Sequence, residues 1–286
     1  MQAGILGTMR HDFLRSAVRF LTVATGVVVL GSVAAVGQQT ATGGQQTPPA
    51  GQQPATTPKP AEALPTGREL VAKHVKAAGG EGAFKAVKSI HAKGTFEMAA
   101  QGLSGPLDIM GARPDKMLLR VDLPNVGHVE SGFDGKNGWN IDPASGPSLL
   151  KGRALTEIAE DAWFDAALHA PDRVKEMTTV AKTEGDNRPA YQVKVVFASG
   201  AEQTEYYDAE TGFEIGSESE RETPMGVLPM KMILRDYKKF GGLMQPTVEV
   251  QSTMGISQMF KIASYEYNTV PANAFDPPPQ IKALIK

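Results

Sequence analysis

The spacing of apolar side chains along the chain changes from a helical period to an alternating one near residue 90. Between residues 67 and 78, apolar positions recur every three or four residues, which predicts a helix. Thr66 followed by Glu69 is typical of a capping box at the start of a helix, and Gly79 is a typical stop. A short helical turn at 82–87 is predicted to lead from this helix into a sheet.

From Ile90 onward, apolar and polar residues alternate in short runs bounded by Gly, Pro, Asn or Asp. The runs leave no room for crossover helices, which predicts an antiparallel meander. The predicted strands begin at residue 90 and continue at 103–112, 116–123, 127–133, 138–142, 148–151, 174–184, 190–198, 202–207, 214–222, 230–240, 247–253 and 257–268. One helix, at 153–169, interrupts them. The residues therefore predict an α+β chain that is mainly antiparallel β, with about a dozen strands in a curved sheet or incomplete barrel and helices against it.

The first segment has the pattern of a secretory signal peptide. Arg10, Arg15 and Arg19 precede an apolar run over residues 20–36, and Ala35 and Gly37 have the small side chains that a signal peptidase needs. A mature start at residue 38 follows. The alternative is an uncleaved anchor, because the run is at the short limit for a spanning helix. Either reading predicts an exported, periplasmic chain, tethered to the inner membrane if the segment is retained.

Residues 38–60 consist of Gln, Thr, Pro, Gly and Ala with one Lys, a composition typical of a disordered linker. The predicted organisation is a signal segment at 1–37, a linker at 38–65 and a folded domain at 66–286. The net charge of −2 argues against nucleic-acid binding as the main activity, because no strongly basic face is available. The absence of cysteine excludes disulfides, thiolate metal sites and a cysteine nucleophile.

The residues give little support for catalysis. The histidines lack the spacing of a metal site, and the sequence has no GxSxG, GxxxxGK[ST] or GxGxxG motif, so neither a metal nor a cofactor is predicted. The pairs Asp208 with Glu210 and Glu160 with Asp161 are interpreted as groups at a hairpin and on the solvated face of a helix. An enzyme is therefore disfavoured.

Methionines are concentrated in the predicted first and last strands, among them Met98, Met117, Met230 and Met232. Methionine adapts to irregular contacts, so this enrichment suits a cavity for flexible acyl chains. Filling of the core of a curved sheet explains it equally well. Trp163 on the middle helix has the same two interpretations, as a plug in the core or as a lid over a pocket.

Several short motifs are similar to those of the periplasmic lipoprotein carrier LolA and its relatives. They are the Arg-Pro strand start at 112–117, the DGK-x-x-W hairpin at 134–139, the D-x-x-T-G turn at 208–213, the Asp-Tyr stretch at 236–246 and the Phe-Asp-Pro-Pro ending at 275–278. The order of helix, strands, single middle helix and further strands also resembles that family. The linker and the lack of cysteine are departures from it, the second of which separates the chain from the acylated receptor branch.

The resemblance implies an unclosed antiparallel β-barrel with helices covering its concave side. It also implies a non-enzymatic periplasmic protein that holds lipid or lipoprotein acyl chains in an apolar cavity, for transport to the outer membrane or for envelope sensing. The implied partners are lipid or acylated lipoprotein, envelope proteins and, transiently, a membrane. By position, Arg113 is the arginine that in the carrier holds a lid closed, and residues 153–169 are part of that lid.

Inward alternation along the strands, together with the middle helix, supplies candidate cavity walls. They are Phe96, Met98, Leu107, Ile109, Met117, Leu119, Trp139, Trp163, Met230, Met232 and Met254. A register shift of one residue would turn a whole strand's set outward. The alternative function is a solid-cored envelope scaffold or docking domain that has no ligand.

Overall fold

The computed structural model describes residues 63–286 apart from Pro224. The predicted signal segment and most of the predicted linker lie outside the described residues, and their assignment stays a prediction. Within the described part, no helix is long and apolar enough to cross a membrane.

Two helices precede the sheet. Helix α1, Gly67–Ala77, begins with the predicted capping box, in which the Thr66 backbone N–H donates to the Glu69 carboxylate at 2.7 Å. The Glu69 N–H in turn donates to the Thr66 hydroxyl at 3.2 Å. The reciprocal bonds satisfy two donors that a helix start otherwise leaves open. Helix α2, Gly80–Ala86, follows after a turn at Gly79.

Fifteen strands and one further long helix make up most of the remaining described chain. In chain order the strands β1 to β6 are Ser89–Met98, Leu103–Ala112, Lys116–Leu123, Gly127–Phe133, Gly138–Asp142 and Gly146–Leu149. Helix α3, Gly152–Asp161, separates them from β7 to β11, which are Val174–Gly185, Arg188–Phe197, Glu202–Asp208, Glu214–Thr223 and Gly226–Arg235. Strands β12 to β15 are Lys238–Phe240, Leu243–Gln245, Val248–Thr253 and Ile256–Tyr267, and a last short helix α4 is Pro279–Lys282.

Thirteen of these strands form one antiparallel sheet in the order β6-β5-β4-β3-β2-β1-β15-β14-β11-β10-β9-β8-β7. The chain's first and last long strands meet at its centre, where Phe96 of β1 lies opposite Phe260 of β15. The ends of the sheet, β6 and β7, do not pair with each other, so the curved sheet is unclosed. This confirms the predicted fold class.

The two faces of the sheet are covered differently. We call the face that carries Phe96, Ile109 and Leu119 the inner face. It forms one apolar cluster with residues of α1, α2 and α3, including Leu70, Phe84 and Ile158. We call the opposite face the outer face. There a smaller cluster joins Leu118 and Trp139 to Phe275 and Ile281 of the C-terminal segment.

The structure corrects two predicted boundaries. Helix α3 ends at Asp161 rather than at residue 169, because the Phe164 backbone N–H leaves the helical pattern and donates to the Pro114 carbonyl at 3.0 Å. Strand β11 ends at Arg235 because Asp236 adopts a positive φ of 55°, which breaks the ladder. The residues that follow form the separate β12–β13 hairpin.

Substituting Gly132 by alanine should destabilise the sheet, because the new Cβ would lie 2.2 Å from the Trp139 ring on the neighbouring strand. We expect a loss of about 1–3 kcal/mol in the free energy of unfolding, measured by urea denaturation. The matched control is Gly82→Ala in α2, where the new Cβ would have no neighbouring atom within 4 Å. It should be stabilising by up to about 1 kcal/mol. Equal effects of the two substitutions would contradict the packing described here.

Candidate functional site

The segment from Gly152 to Ala170 covers the inner face of the sheet, and we call it the lid segment. Its helical part, α3, contacts β4, β5 and β10. Ile158, Ala162 and Phe164 point into the apolar cluster and are almost fully buried. Gly138 on β5 permits this approach, because a Cβ there would lie 2.8 Å from the Ile158 side chain. The lid segment is therefore packed directly against the strands.

Arg113, at the end of β2, fastens the lid segment to the sheet. Its guanidinium forms a charged hydrogen bond with the Asp165 carboxylate and donates to the Val87 carbonyl at 2.9 Å. The same group stacks over the Phe164 ring, 4.8 Å from the ring centroid. Arg113 thus contacts two consecutive lid residues through charge and through an aromatic face.

A second arginine holds the lid segment from the other half of the sheet. Arg221 on β10 pairs with Asp161 at 2.8 Å, and both side chains are buried. Burial opposes the charge on Arg221, but Asp161 and Glu157 outweigh it and raise its pKa above the ordinary value. Glu157 also accepts a hydrogen bond from the Glu222 backbone N–H at 3.2 Å. The end of α3 is therefore bound to β10 by buried charge.

The last part of the lid segment is anchored by a buried polar network. His169 Nε2 lies 2.8 Å from the Glu205 carboxylate, which also accepts from Gln203 at 2.8 Å and from Tyr207 at 2.6 Å. Arg68 of α1 donates to the His169 carbonyl. Both oxygens of Glu205 are engaged by these donors, so this carboxylate serves to hold the chain in place.

A cleft of about 1050 Å³ lies between the lid segment and strands β8 to β11. Its apolar wall includes Trp163, Phe197 and Pro229, and its polar wall includes Gln203 and Ser219. The charged residues that line it are Arg153, Glu157, Glu160, Asp161, Arg173, Lys194, Glu202, Glu205, Glu218, Glu220 and Arg221. The cleft is thus mixed in character, with an aromatic side chain next to ion pairs.

Most of the sequence-predicted cavity walls lie elsewhere than this cleft. Those buried in the apolar cluster of the inner face are Phe96, Met98, Leu107, Ile109, Met117 and Leu119. Met230 and Met232 are also buried, while Trp163 lines the cleft. The structure therefore places most of the predicted set on a packed inner face and one member, Trp163, in the cleft. Their role as walls of an acyl-chain cavity stays a prediction.

Two residues of that set are placed outside the inner face, which corrects their predicted positions. Trp139 points to the outer face, where its indole N–H donates to Glu130 at 2.8 Å, because Gly138 rather than Trp139 faces α3. Met254 lies in the β14–β15 turn with 68% of its surface exposed, because the strand ends one residue earlier.

The structure corrects the interpretation of one acidic pair, Glu160 with Asp161, and places the other, Asp208 with Glu210, at the predicted hairpin. Asp161 is not solvated, because it faces Arg221 beneath the end of α3. Burial alone would raise the pKa of Asp208, but hydrogen bonds from Thr211 and the charge of Arg188 lower it below its ordinary value. Asp208 is thereby a charged turn cap. In residues 63–286 apart from Pro224, no group of three or more His, Asp and Glu is arranged to hold a metal ion.

Sequence reasoning missed the polar part of the inner face. Gln203 and Glu205 point inward on β9, opposite Ser219 and Ser217 of β10. Gln251 and Gln258 continue this row on β14 and β15. The alternation of Gln203, Glu205 and Tyr207 was visible in the sequence, but polar residues in a strand usually face water. Only the position of the lid segment shows that they are buried.

Comparison with known proteins bears on the fold. No protein-family model and no curated protein sequence matches the chain. Among solved structures, a DUF1329 family protein from Desulfovibrio piger superposes with a TM-score of 0.52 at 11% identity, over 75% of this chain and 97% of that one. A LolA superfamily protein from Nitrosomonas europaea gives 0.50 at 12% identity, over 75% and 99%. The chain therefore has a LolA-like fold, an unclosed antiparallel sheet covered by helices.

Proposed function

We propose that this chain is a non-enzymatic periplasmic binding protein that holds lipid or lipoprotein acyl chains between the lid segment and the inner face of the sheet. The observation that carries the proposal is that an apolar sheet face is covered by a segment whose described attachments include two arginine–aspartate pairs. The lid residues Ile158, Ala162 and Phe164 belong to the apolar cluster of the inner face, so moving the lid segment would open that cluster. Transport to the outer membrane and envelope sensing are both compatible with this binding.

The energetics suit reversible binding of an acyl chain. Each methylene that leaves water for an apolar site contributes about 0.8 kcal/mol, so a long acyl chain compensates for lid contacts that are lost. The contacts to be broken include the pairs of Arg113 with Asp165 and Arg221 with Asp161. In this proposal Arg113 keeps the lid segment closed until a ligand enters. The fold alone does not assign this role to Arg113. The assignment rests on these contacts and on the sequence resemblance.

The first experiment asks whether the protein takes up lipid. We expect the protein purified from a bacterial periplasm to carry lipid or acylated peptide, detected by native mass spectrometry followed by lipid extraction. After delipidation it should take up a fluorescent fatty acid, a phospholipid or a lipopeptide. Protein that has a ligand-free mass and takes up none of these three probes would contradict the proposed function.

Weakening the Arg113 attachment should make uptake faster. Asp165→Asn replaces the ion pair with Arg113 by a hydrogen bond from the charged guanidinium to a neutral amide oxygen, which we expect to raise the rate of fatty-acid uptake by roughly tenfold. The measurement is stopped-flow fluorescence on delipidated protein. The matched control is Asp186→Asn, which removes the same charge from the pair of Arg235 and Asp186 away from the lid segment. Asn tolerates the positive φ of residue 186. Equal uptake rates in both variants would exclude Arg113 as the closing contact.

A solid-cored scaffold is the second candidate, favoured by the tight burial of the predicted cavity walls that lie on the inner face. Met232→Phe distinguishes the two functions, because Met232 lies on the inner face opposite Ser217 and Gln251. If the protein binds acyl chains here, we expect the larger side chain mainly to reduce lipid uptake. The scaffold would be favoured if the protein takes up no lipid before or after the change and the larger side chain lowers the unfolding free energy by about 1–3 kcal/mol through overpacking.

A further inference from the structure

The turns at one end of the large sheet share an unusual composition. Six turns lie there, each joining two neighbouring strands, and their described residues are 99–102, 124–126, 143–145, 198–201, Met225 and 254–255. In spatial order they join β5 to β6, β3 to β4, β1 to β2, β14 to β15, β10 to β11 and β8 to β9. Not one of these turn residues is Asp, Glu, Lys or Arg. We call this end the uncharged rim.

The opposite end of the same sheet is different. Its turns are 113–115, 134–137, 186–187, 209–213 and 236–237, and every one of them contains a charged residue. Examples are Arg113, Lys136 and Asp236. Since both ends are built from the same strands and the same kind of short turn, the requirements of turn formation do not explain the contrast. The uncharged rim therefore has a surface chemistry of its own.

Large apolar side chains project from the uncharged rim into solvent. Met225 is 74% exposed and Met254 is 68% exposed, and they are on the neighbouring β10–β11 and β14–β15 hairpins. Val227 and Ile256 beside them are also exposed, as is Val126 on the β3–β4 turn. The Thr253 hydroxyl donates to the Pro229 carbonyl at 2.8 Å, which ties the two methionine-bearing hairpins together. Nothing within the fold accounts for leaving these side chains in water.

Asp142, just before the β5–β6 turn, accepts hydrogen bonds from backbone N–H groups of that turn at 2.9 Å, and two other flanking charges are paired. Asp122, just before the β3–β4 turn, accepts from His128 at 2.8 Å. Glu202, just after the β8–β9 turn, pairs with Lys194 at 2.8 Å. Asp172 and Arg173 lie where the chain enters β7, at the far end of the rim. A surface that approaches Met225 and Met254 would meet apolar groups first.

We propose that the uncharged rim docks on the surface of a lipid bilayer, with Met225 and Met254 entering its interfacial region. Adjacent turns are spaced about 10 Å apart along the rim, since each spans two strands. The turns at one end of a curved sheet follow an arc, and a flat fluid surface can meet several separate tips of such an arc at once. A folded protein partner would instead need a matching pocket for each tip.

The chemistry of the rim favours the bilayer in two further respects. Methionine is flexible and polarisable, so it adapts to the irregular contacts of an interface. A rim without charge loses little hydration free energy when it leaves water, whereas an isolated charge entering an apolar medium is costly. Attraction to anionic lipid head groups needs basic residues, and the six turns have none. Docking should therefore be insensitive to the charge of the lipid.

Docking through this rim would bring the cleft close to the bilayer. The β8–β9 turn, from Ala198 to Ala201, belongs both to the uncharged rim and to the lining of the cleft. Pro229, which also lines the cleft, accepts a hydrogen bond from Thr253 at the tip of the β14–β15 hairpin. The proposal goes beyond the proposed function, since a docking surface can exist whether or not the inner face binds acyl chains.

The absence of cysteine makes a site-specific test possible in the whole chain. Four single-cysteine variants, Met225→Cys, Met254→Cys, Val180→Cys and Asn187→Cys, are each labelled with the polarity-sensitive dye NBD. Val180 is an exposed apolar residue on β7, and Asn187 lies in a turn at the opposite end. On adding phosphatidylcholine vesicles, we expect NBD emission to increase several-fold and shift to the blue at 225 and 254 only. This readout is position-specific, so it does not depend on whether the N-terminal segment also holds the chain on the vesicle.

Mixing phosphatidylglycerol into the vesicles should leave the NBD response at both positions unchanged. A response confined to anionic vesicles, an equal response at all four positions, or no response at any of them would overturn the proposal. The last result would point to a protein partner for the rim.

A charge-insertion variant separates this proposal from the proposed function. In Met225→Asp with Met254→Asp, we expect the rate of lipid extraction from vesicles to fall by at least about tenfold. Uptake of a monomeric fatty acid from solution should stay at the wild-type rate. The matched control, Val180→Asp, also places an acid on an exposed apolar position and should retain both activities. Aspartate accepts the positive φ of residue 254, and circular dichroism verifies the fold.

If the double variant extracts lipid from vesicles as fast as the wild type, docking through the rim is wrong even though the acyl-chain site stands. If the wild type takes up no lipid from any source but its NBD probes still respond, the proposed function is wrong and the docking surface stands.

Discussion

An open sheet with one apolar face has to be covered, and this requirement shapes the rest of the molecule. Thirteen antiparallel strands that do not close into a barrel cannot bury their own inner side chains. Helices α1, α2 and the lid segment supply the cover, and each adds side chains to one continuous apolar cluster. The position of the lid segment is set in turn by arginines that reach it from three separate elements. Arg68 comes from α1, Arg113 from the end of β2 and Arg221 from β10.

The inner face is divided along the sheet. From β4 to β15 it is formed largely by apolar residues such as Val121, Leu107 and Phe96. From β14 to β9 it includes buried polar side chains such as Gln251, Ser217 and Glu205. The apolar part is packed against α1, α2 and the lid segment, while the polar part borders the cleft. One covering segment therefore spans two chemically distinct surfaces, and it is fastened by an arginine from each half of the sheet, Arg113 and Arg221.

The alternation of the sequence was sufficient to predict the antiparallel sheet, because inward apolar residues such as Leu119, Val121 and Leu123 of β3 alternate with Arg120 and Asp122. The capping box at Thr66 likewise predicted the start of α1. The candidate site was harder to predict from the sequence. Trp139 looked like an inner-face residue, since aromatic residues are usually buried in the main core, but the C-terminal segment provides a second apolar cover. The end of α3 was missed because a bond from Phe164 to Pro114, far away in sequence, outweighs the helical pattern of residues 162–167.

The C-terminal segment has a mechanical consequence. Phe275 and Ile281 cover Leu118 and Trp139 on the outer face, so strands β3 to β5 are enclosed between this strap and the lid segment. Apolar contacts therefore restrain this half of the sheet on both of its faces. On β8 to β11, surface ion pairs such as that of Lys231 with Glu218 occupy the outer face. We therefore expect any widening of the space beneath the lid segment to occur in the half without the C-terminal strap, which is also the half that borders the cleft.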